Sequence, residues 1–195
     1  MLFSLVIEVD YSLGEFYSQM KIAMVKYSSI QEEDLKNLPL KSFLDVLLDD
    51  VYPFLFSELN KAEACISTLR SEFDMDVLNS TYKKILSEFD ELYRKEKLVL
   101  FPFLLKLENE NKKSENCTPF KNIKAHYTSI IYELHSGIDL LDHLFMQDMH
   151  ETSVMVLRDI LEDLKENLIT IQRVKEKHFY ANYKNCTGCK AIPTV

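Results

Sequence analysis

Between residues 78 and 103 a single carboxylate interrupts an otherwise oily stripe, and few folds can hold it there. Leu78, Tyr82, Ile85, Phe89, Leu92, Glu96, Val99 and Phe103 follow one another at spacings of three and four. That spacing stacks them on one face of a helix. All are bulky and suited to a core except Glu96. An ionised carboxylate taken out of water needs a cation, hydrogen-bond donors or a proton. What meets Glu96 therefore bears on both fold and function. In a metal-free bundle Glu96→Leu is expected to stabilise the chain, because an uncompensated buried charge is removed.

The remaining sequence supplies helices to pack against that stripe. With 195 residues the chain can bury a substantial core, and only three Gly, five Pro and no Trp appear. So few turn formers argue against a hairpin-rich β fold. Residues 12–27 are expected to form a short first helix, with Ser12 and Glu15 spaced as a capping box. Longer helices are expected over 39–70, 74–108, 120–147 and 152–182. Pro39 suits a first helical turn, whereas Pro53 should kink its helix and Pro102 should kink or end the next. ENENKKSENCTP reads as the clearest loop. On the fourth helix Ile123, Tyr127, Ile130, Leu134 and Ile138 form the inner stripe, with Glu133 at its edge on the side of His126. The last helix buries Val154, Leu157, Leu161, Leu164, Leu168 and Ile171, after which Gln172 and Glu176 continue inward. The pattern predicts an all-α, antiparallel four-helix bundle with an additional short N-terminal helix. Its expected divisions are 1–38, a bundle over 39–183, and a tail over 184–195.

Charge and composition narrow the partners. A net charge of −8 disfavours nucleic acid, which wants a basic face. The opening MLFSLVIEVD is too short and acidic for a signal peptide, and no stretch is apolar for long enough to span a membrane. A cytoplasmic protein is expected, with Cys65, Cys117, Cys186 and Cys189 reduced. Cys186-x-x-Cys189 lacks the second pair a zinc site needs and the βαβ setting of a redox motif, so an ordinary tail is favoured. No nucleophile–base arrangement or phosphate loop stands out. An uncovered helix face would be explained by homodimerisation.

Glu96 and Glu176 are the main constellation. Glutamates on facing bundle helices can bridge two metal ions, usually with histidines one turn away. Here the residues one turn earlier are Leu92 and Gln172. Structural glutamates paired with lysine or tyrosine would give the same pattern.

Glu96 begins E-x-x-x-LFPFL, Glu176 precedes KHFYAN, and residues 39–55 read PLKSFLDVLLDDVYPFL. On these residues the chain resembles hemerythrin-like proteins, and most closely the iron–sulfur-cluster repair (RIC) family, over roughly residues 39–182. Those proteins carry H-x-x-x-E-x-x-x-LFP on two bundle helices. The resemblance implies a four-helix bundle and, in intact members, a histidine-rich diiron site serving cluster repair under nitrosative or oxidative stress. Carried over by position, the histidine ligands fall on Tyr52, Leu92, Glu133 and Gln172, and the bridging glutamates on Glu96 and Glu176. None of the histidines survives. The expectation is thus a non-catalytic binding or interaction protein with a degenerate diiron site and no cofactor. The alternative is a carboxylate-ligated iron or other divalent-metal protein with a stress-response role. Its rebuilt ligand set would draw on Glu96, Glu133, Glu176 and Tyr52, with His126 or His178 added.

Overall fold

A computed structural model describes residues 35, 37–69, 76–115, 118–145 and 152–183 of the chain. The chain divides into two compact units, Met1–Leu38 and Pro39–Val195, and the helices α1 to α4 given below lie in the second. The helix expected over 12–27, the thiols of Cys117, Cys186 and Cys189, and the side chain of His178 lie outside the described residues.

The second unit is all-α, with four helices and no strand among the described residues. Helix α1 runs as Leu40–Val46, a π-turn at Leu47–Val51, and Tyr52–Leu69. Helix α2 comprises Asp76–Lys95, a π-turn at Glu96–Leu100, and Phe101–Asn109. Helix α3 is Thr118–Phe145. Helix α4 is Thr152–Val174, a π-turn at Lys175–Tyr180, and Ala181–Tyr183. None of these helices is long and apolar enough to cross a membrane.

The apolar stripes account for the packing. Leu55, Leu59 and Ile66 on α1, Tyr82, Ile85 and Phe89 on α2, Ile130 and Leu134 on α3, and Leu157, Leu161 and Leu164 on α4 are all buried. Each such side chain contributes roughly 1.5–3 kcal/mol by leaving water. Aromatic rings fill the joints: Phe43 of α1 stacks on Phe179 of α4, and Phe56 meets Phe89 edge-on at 4.9 Å. Helix α2 ends where Asn111 takes a positive φ of 49°. There Lys112 N–H reaches Leu107 O and Asn111 N–H reaches Glu108 O, which closes the helix as a Schellman motif and satisfies its last carbonyls. The expected loop follows, and its Ser114 N–H donates to Tyr183 O at the end of α4.

Neither internal proline ends its helix. Both sit two residues beyond a π-turn, in V-Y-P-F-L at 51–55 and L-F-P-F-L at 100–104. Proline lacks an N–H, and its ring collides with the carbonyl four residues back. A turn with one extra residue moves that carbonyl aside, which lets the helix continue. The widened turns show directly: Tyr52 N–H donates to Leu47 O and Phe101 N–H to Glu96 O, five residues back in each case.

The extra residue changes the register. In a regular α-helix, residues five apart lie about 140° around the axis. Across the π-turns they share a face, so Leu47 with Tyr52, Glu96 with Phe101, and Lys175 with Tyr180 are all buried. The stripe expected to pass from Glu96 to Val99 and Phe103 is displaced by this turn. Val99 is 57% exposed, Phe103 is half-buried, and Leu100 and Leu104 are fully buried. Leu100→Ala should accordingly cost about 2–5 kcal/mol in denaturant unfolding, and Val99→Ala less than about 0.5 kcal/mol. An unbroken α-register requires the reverse ranking.

Candidate functional site: a buried lysine–glutamate–tyrosine centre

All four helices deliver polar side chains to one point in the core. Helix α1 supplies Tyr52, α2 supplies Glu96, α3 supplies Tyr127, and α4 supplies Lys175 and Tyr180. Glu96 and Lys175 have no solvent exposure at all, and the three tyrosines are buried with them. The π-turns make this convergence: Glu96 and Lys175 open theirs, Tyr52 follows the first, and Tyr180 closes the third.

Lys175 Nζ donates to Glu96 Oε2 at 2.5 Å, to Tyr127 Oη at 2.7 Å and to Tyr52 Oη at 3.0 Å. An ammonium has three N–H donors, and each has an acceptor here. Glu96 is equally saturated. Its Oε2 accepts from the Tyr52 hydroxyl as well as from Lys175, and its Oε1 accepts from the Tyr180 hydroxyl at 3.1 Å. Aromatic rings surround the ammonium, with centroids of Tyr52, Tyr127 and Phe101 at 5.1, 5.2 and 5.7 Å from Nζ. None of these buried polar atoms lacks a partner.

Burial pushes the Glu96 carboxyl up and the Lys175 ammonium down, because each loses its hydration, and each charge holds the other against that trend. The hydrogen bonds decide for the ionised pair. A carboxylate accepting from two phenols and an amine, opposite an amine donating to three oxygens, is stabilised in its charged form. Burial, followed by the Glu96 charge, holds the Tyr127 and Tyr180 phenols well above their ordinary range.

Of the described residues expected to share a site, the fold brings together Glu96 and Tyr52 only. Glu176 takes a part-exposed position, where it pairs with Lys124 at 3.1 Å and accepts from Gln172 at 3.3 Å. The inward placement expected for Glu176 is corrected to Lys175, its neighbour. The seven-residue step from Leu168 puts the lysine on the core face, and the π-turn that it opens brings Tyr180 to the same side. Glu133 is buried at the stripe edge, and it pairs with Lys84 at 2.5 Å, three turns before Glu96 along α2. His126 lies between Glu88 at 3.2 Å and Lys95 at 2.6 Å, while the exposed His135 faces Asp139. Among the described residues no three His, Cys, Asp or Glu side chains are placed to hold one metal ion. The donor set at the centre does not fit a dinuclear iron site: its one carboxylate has both oxygens engaged, and a cation already sits against it.

Lys175 is the residue that sequence reasoning missed. Its signal was present, since it continues the heptad step of Leu161 and Leu168. No protein-family model, curated protein or solved structure matches the chain.

The stabilisation expected for Glu96→Leu reverses once its partner is known, because that change strands an ammonium in the core. Glu96→Leu and Lys175→Met should each cost about 3–5 kcal/mol in chemical denaturation, while the double variant recovers most of the loss. Additive losses would disprove the pairing.

Alkaline pH provides a second check. Tyr82, whose hydroxyl donates to Leu59 O, joins Tyr127 and Tyr180 in titrating above the ordinary value of about 10. A raised folded-state pKa stabilises the fold below the unfolded value, and that advantage is lost as pH climbs past it. Lys175, shifted down, acts in the opposite sense, but one amine stands against three phenols. Tyrosinate absorbance should show these phenols ionising only as helical circular dichroism disappears. Complete titration of all ten tyrosines in a still-helical chain would contradict such shielding.

Proposed function

We propose that the chain is an antiparallel, hemerythrin-like bundle related to the iron–sulfur-cluster repair proteins, in which a lysine ammonium stands where a metal centre would otherwise neutralise the core carboxylate. On this reading it is a cytoplasmic, non-catalytic binding or interaction protein. The observation that carries the proposal is the saturation of Lys175 and Glu96: three donors against three oxygens, and a carboxylate occupied on both sides. The meeting of Tyr52 with Glu96 supports it too, because the family resemblance places a ligand at each of those positions.

A non-catalytic role follows from access. A general acid, base or nucleophile must come within hydrogen-bond reach of its substrate, and Glu96 and Lys175 are sealed in the core. Binding then falls to the outer faces of the helices. Chain purified from iron-supplemented cells should contain far less than one iron per chain, and its Tm should not respond to a chelator. About two irons per chain, with a Tm that falls on chelation, would overturn the proposal in favour of a carboxylate-ligated iron protein of cluster repair.

A further inference from the structure

The groups around the Lys175 ammonium form a recognisable kind of receptor. Cationic ammonium groups are held by aromatic faces, whose quadrupole presents negative charge, together with oxygen acceptors for the N–H bonds. Here the Phe101 ring stands 5.7 Å from Nζ, and the acceptors are Glu96 Oε2 and the hydroxyls of Tyr52 and Tyr127, which turn the polar ends of their rings to the ammonium. All of these belong to α1, α2 and α3, whereas the ammonium arrives on α4. Receptor and ligand thus come from different helices, and α4 reaches the receptor through the Lys175 ammonium and through Tyr180, which donates to Glu96 Oε1.

We propose that α1, α2 and α3 build a primary-alkylammonium binding cage at the bundle centre, and that Lys175 is its resident ligand, carried in cis by α4. The cage selects for charge and for three N–H donors at once. Glu96 supplies the counter-charge, the two hydroxyls fix the remaining donors, and Tyr180 orients the carboxylate from its other oxygen at 3.1 Å. A neutral group of the same shape satisfies neither requirement. A quaternary ammonium satisfies the first alone and is too bulky for contacts of 2.5–3.0 Å. The inference takes from the proposed function only the metal-free centre. The ancestry could fail and the cage would remain.

Truncation separates ligand from receptor. Lys175→Ala removes the side chain beyond Cβ, and the missing piece is n-propylammonium. The probe is n-propylammonium chloride added to the full-length Lys175→Ala chain, with 1-propanol as the neutral isostere and sodium chloride for ionic strength. Propylammonium at about 100 times its dissociation constant should raise the Tm of the variant by about 5–10 °C, leave the unmutated chain unchanged, and lose at least tenfold in apparent affinity when Glu96→Gln is added. An equal rise with 1-propanol would reduce the cage to an apolar cavity, and an equal rise with sodium chloride would reduce it to screening; either overturns the proposal. So does the absence of any rise.

A second measurement does not depend on the variant folding. In the unmutated chain labelled with ¹⁵N-lysine, one Nζ resonance should persist as a protonated, slowly exchanging NH₃⁺ group at neutral pH. A neutral amine, or exchange as fast as that of the exposed lysines, would overturn the proposal. Iron content reads the proposed function and propylammonium rescue reads the cage, so failure of one is distinguishable from failure of the other.

Discussion

The Lys175–Glu96 pair, 79 residues apart in the chain and wholly out of water, is the interaction on which the rest of the core is arranged. Removing two such charges from solvent costs several kcal/mol for each ion, and their mutual attraction alone rarely offsets that. The bundle adds three phenol hydroxyls and the Phe101 ring around the pair, so that every donor of the ammonium and both oxygens of the carboxylate are answered. The arrangement serves uniqueness more than raw stability. Leucines on one helix can slide against leucines on the next and still be buried. A lysine that must meet one carboxylate and two hydroxyls from three other helices cannot slide, since a shift of one turn strands a charge among apolar neighbours.

The π-turns are the mechanical means of that convergence. A regular helix presents residues three, four and seven apart to one side, which would leave Tyr180 turned away from Lys175. Widening the turn brings both to Glu96. On α1 and α2 a proline two residues downstream makes the wide turn the less strained choice, whereas α4 has no such proline. There the hydrogen bonds of Lys175 and Tyr180 are the interactions that reward the wider turn.

Much of the fold was legible in the sequence. The four stripes marked the helices to within a residue or two, and the polar run from Glu108 to Pro119 marked the loop, which lies between Asn109 and Thr118. What failed was register. Val99 and Phe103 were placed inward because a periodicity of three and four assumes an unbroken α-helix, and an added residue in the turn shifts everything beyond it. On α4 the regular spacing was not at fault, since it leads from Leu161 and Leu168 to Lys175 at the start of the π-turn, and Gln172 and Glu176 were chosen beside that line. Lys175 escaped notice for a different reason. Lysine is almost never fully buried unless it is paired, so a single lysine on a stripe reads as a surface residue until its partner is known. That partner lies on another helix, and no local pattern connects them. Glu96 and Tyr52 could be singled out from the sequence, whereas the cation between them required three dimensions.

A tethered cation differs from a metal ion in ways that bear on what such a bundle can do. A metal ion can be lost, exchanged or oxidised, and a catalytic one keeps an open coordination position. The Lys175 ammonium does none of these, because it is covalently part of α4 and all three donors are committed. The cost is that neutralisation depends on the register of α4, so core charge and helix position are no longer separate variables. Displacing α4 would expose both charges together, and holding it in place closes the centre. A core built this way passes nothing to or from solvent. Its chemistry is spent on fixing one arrangement of four helices.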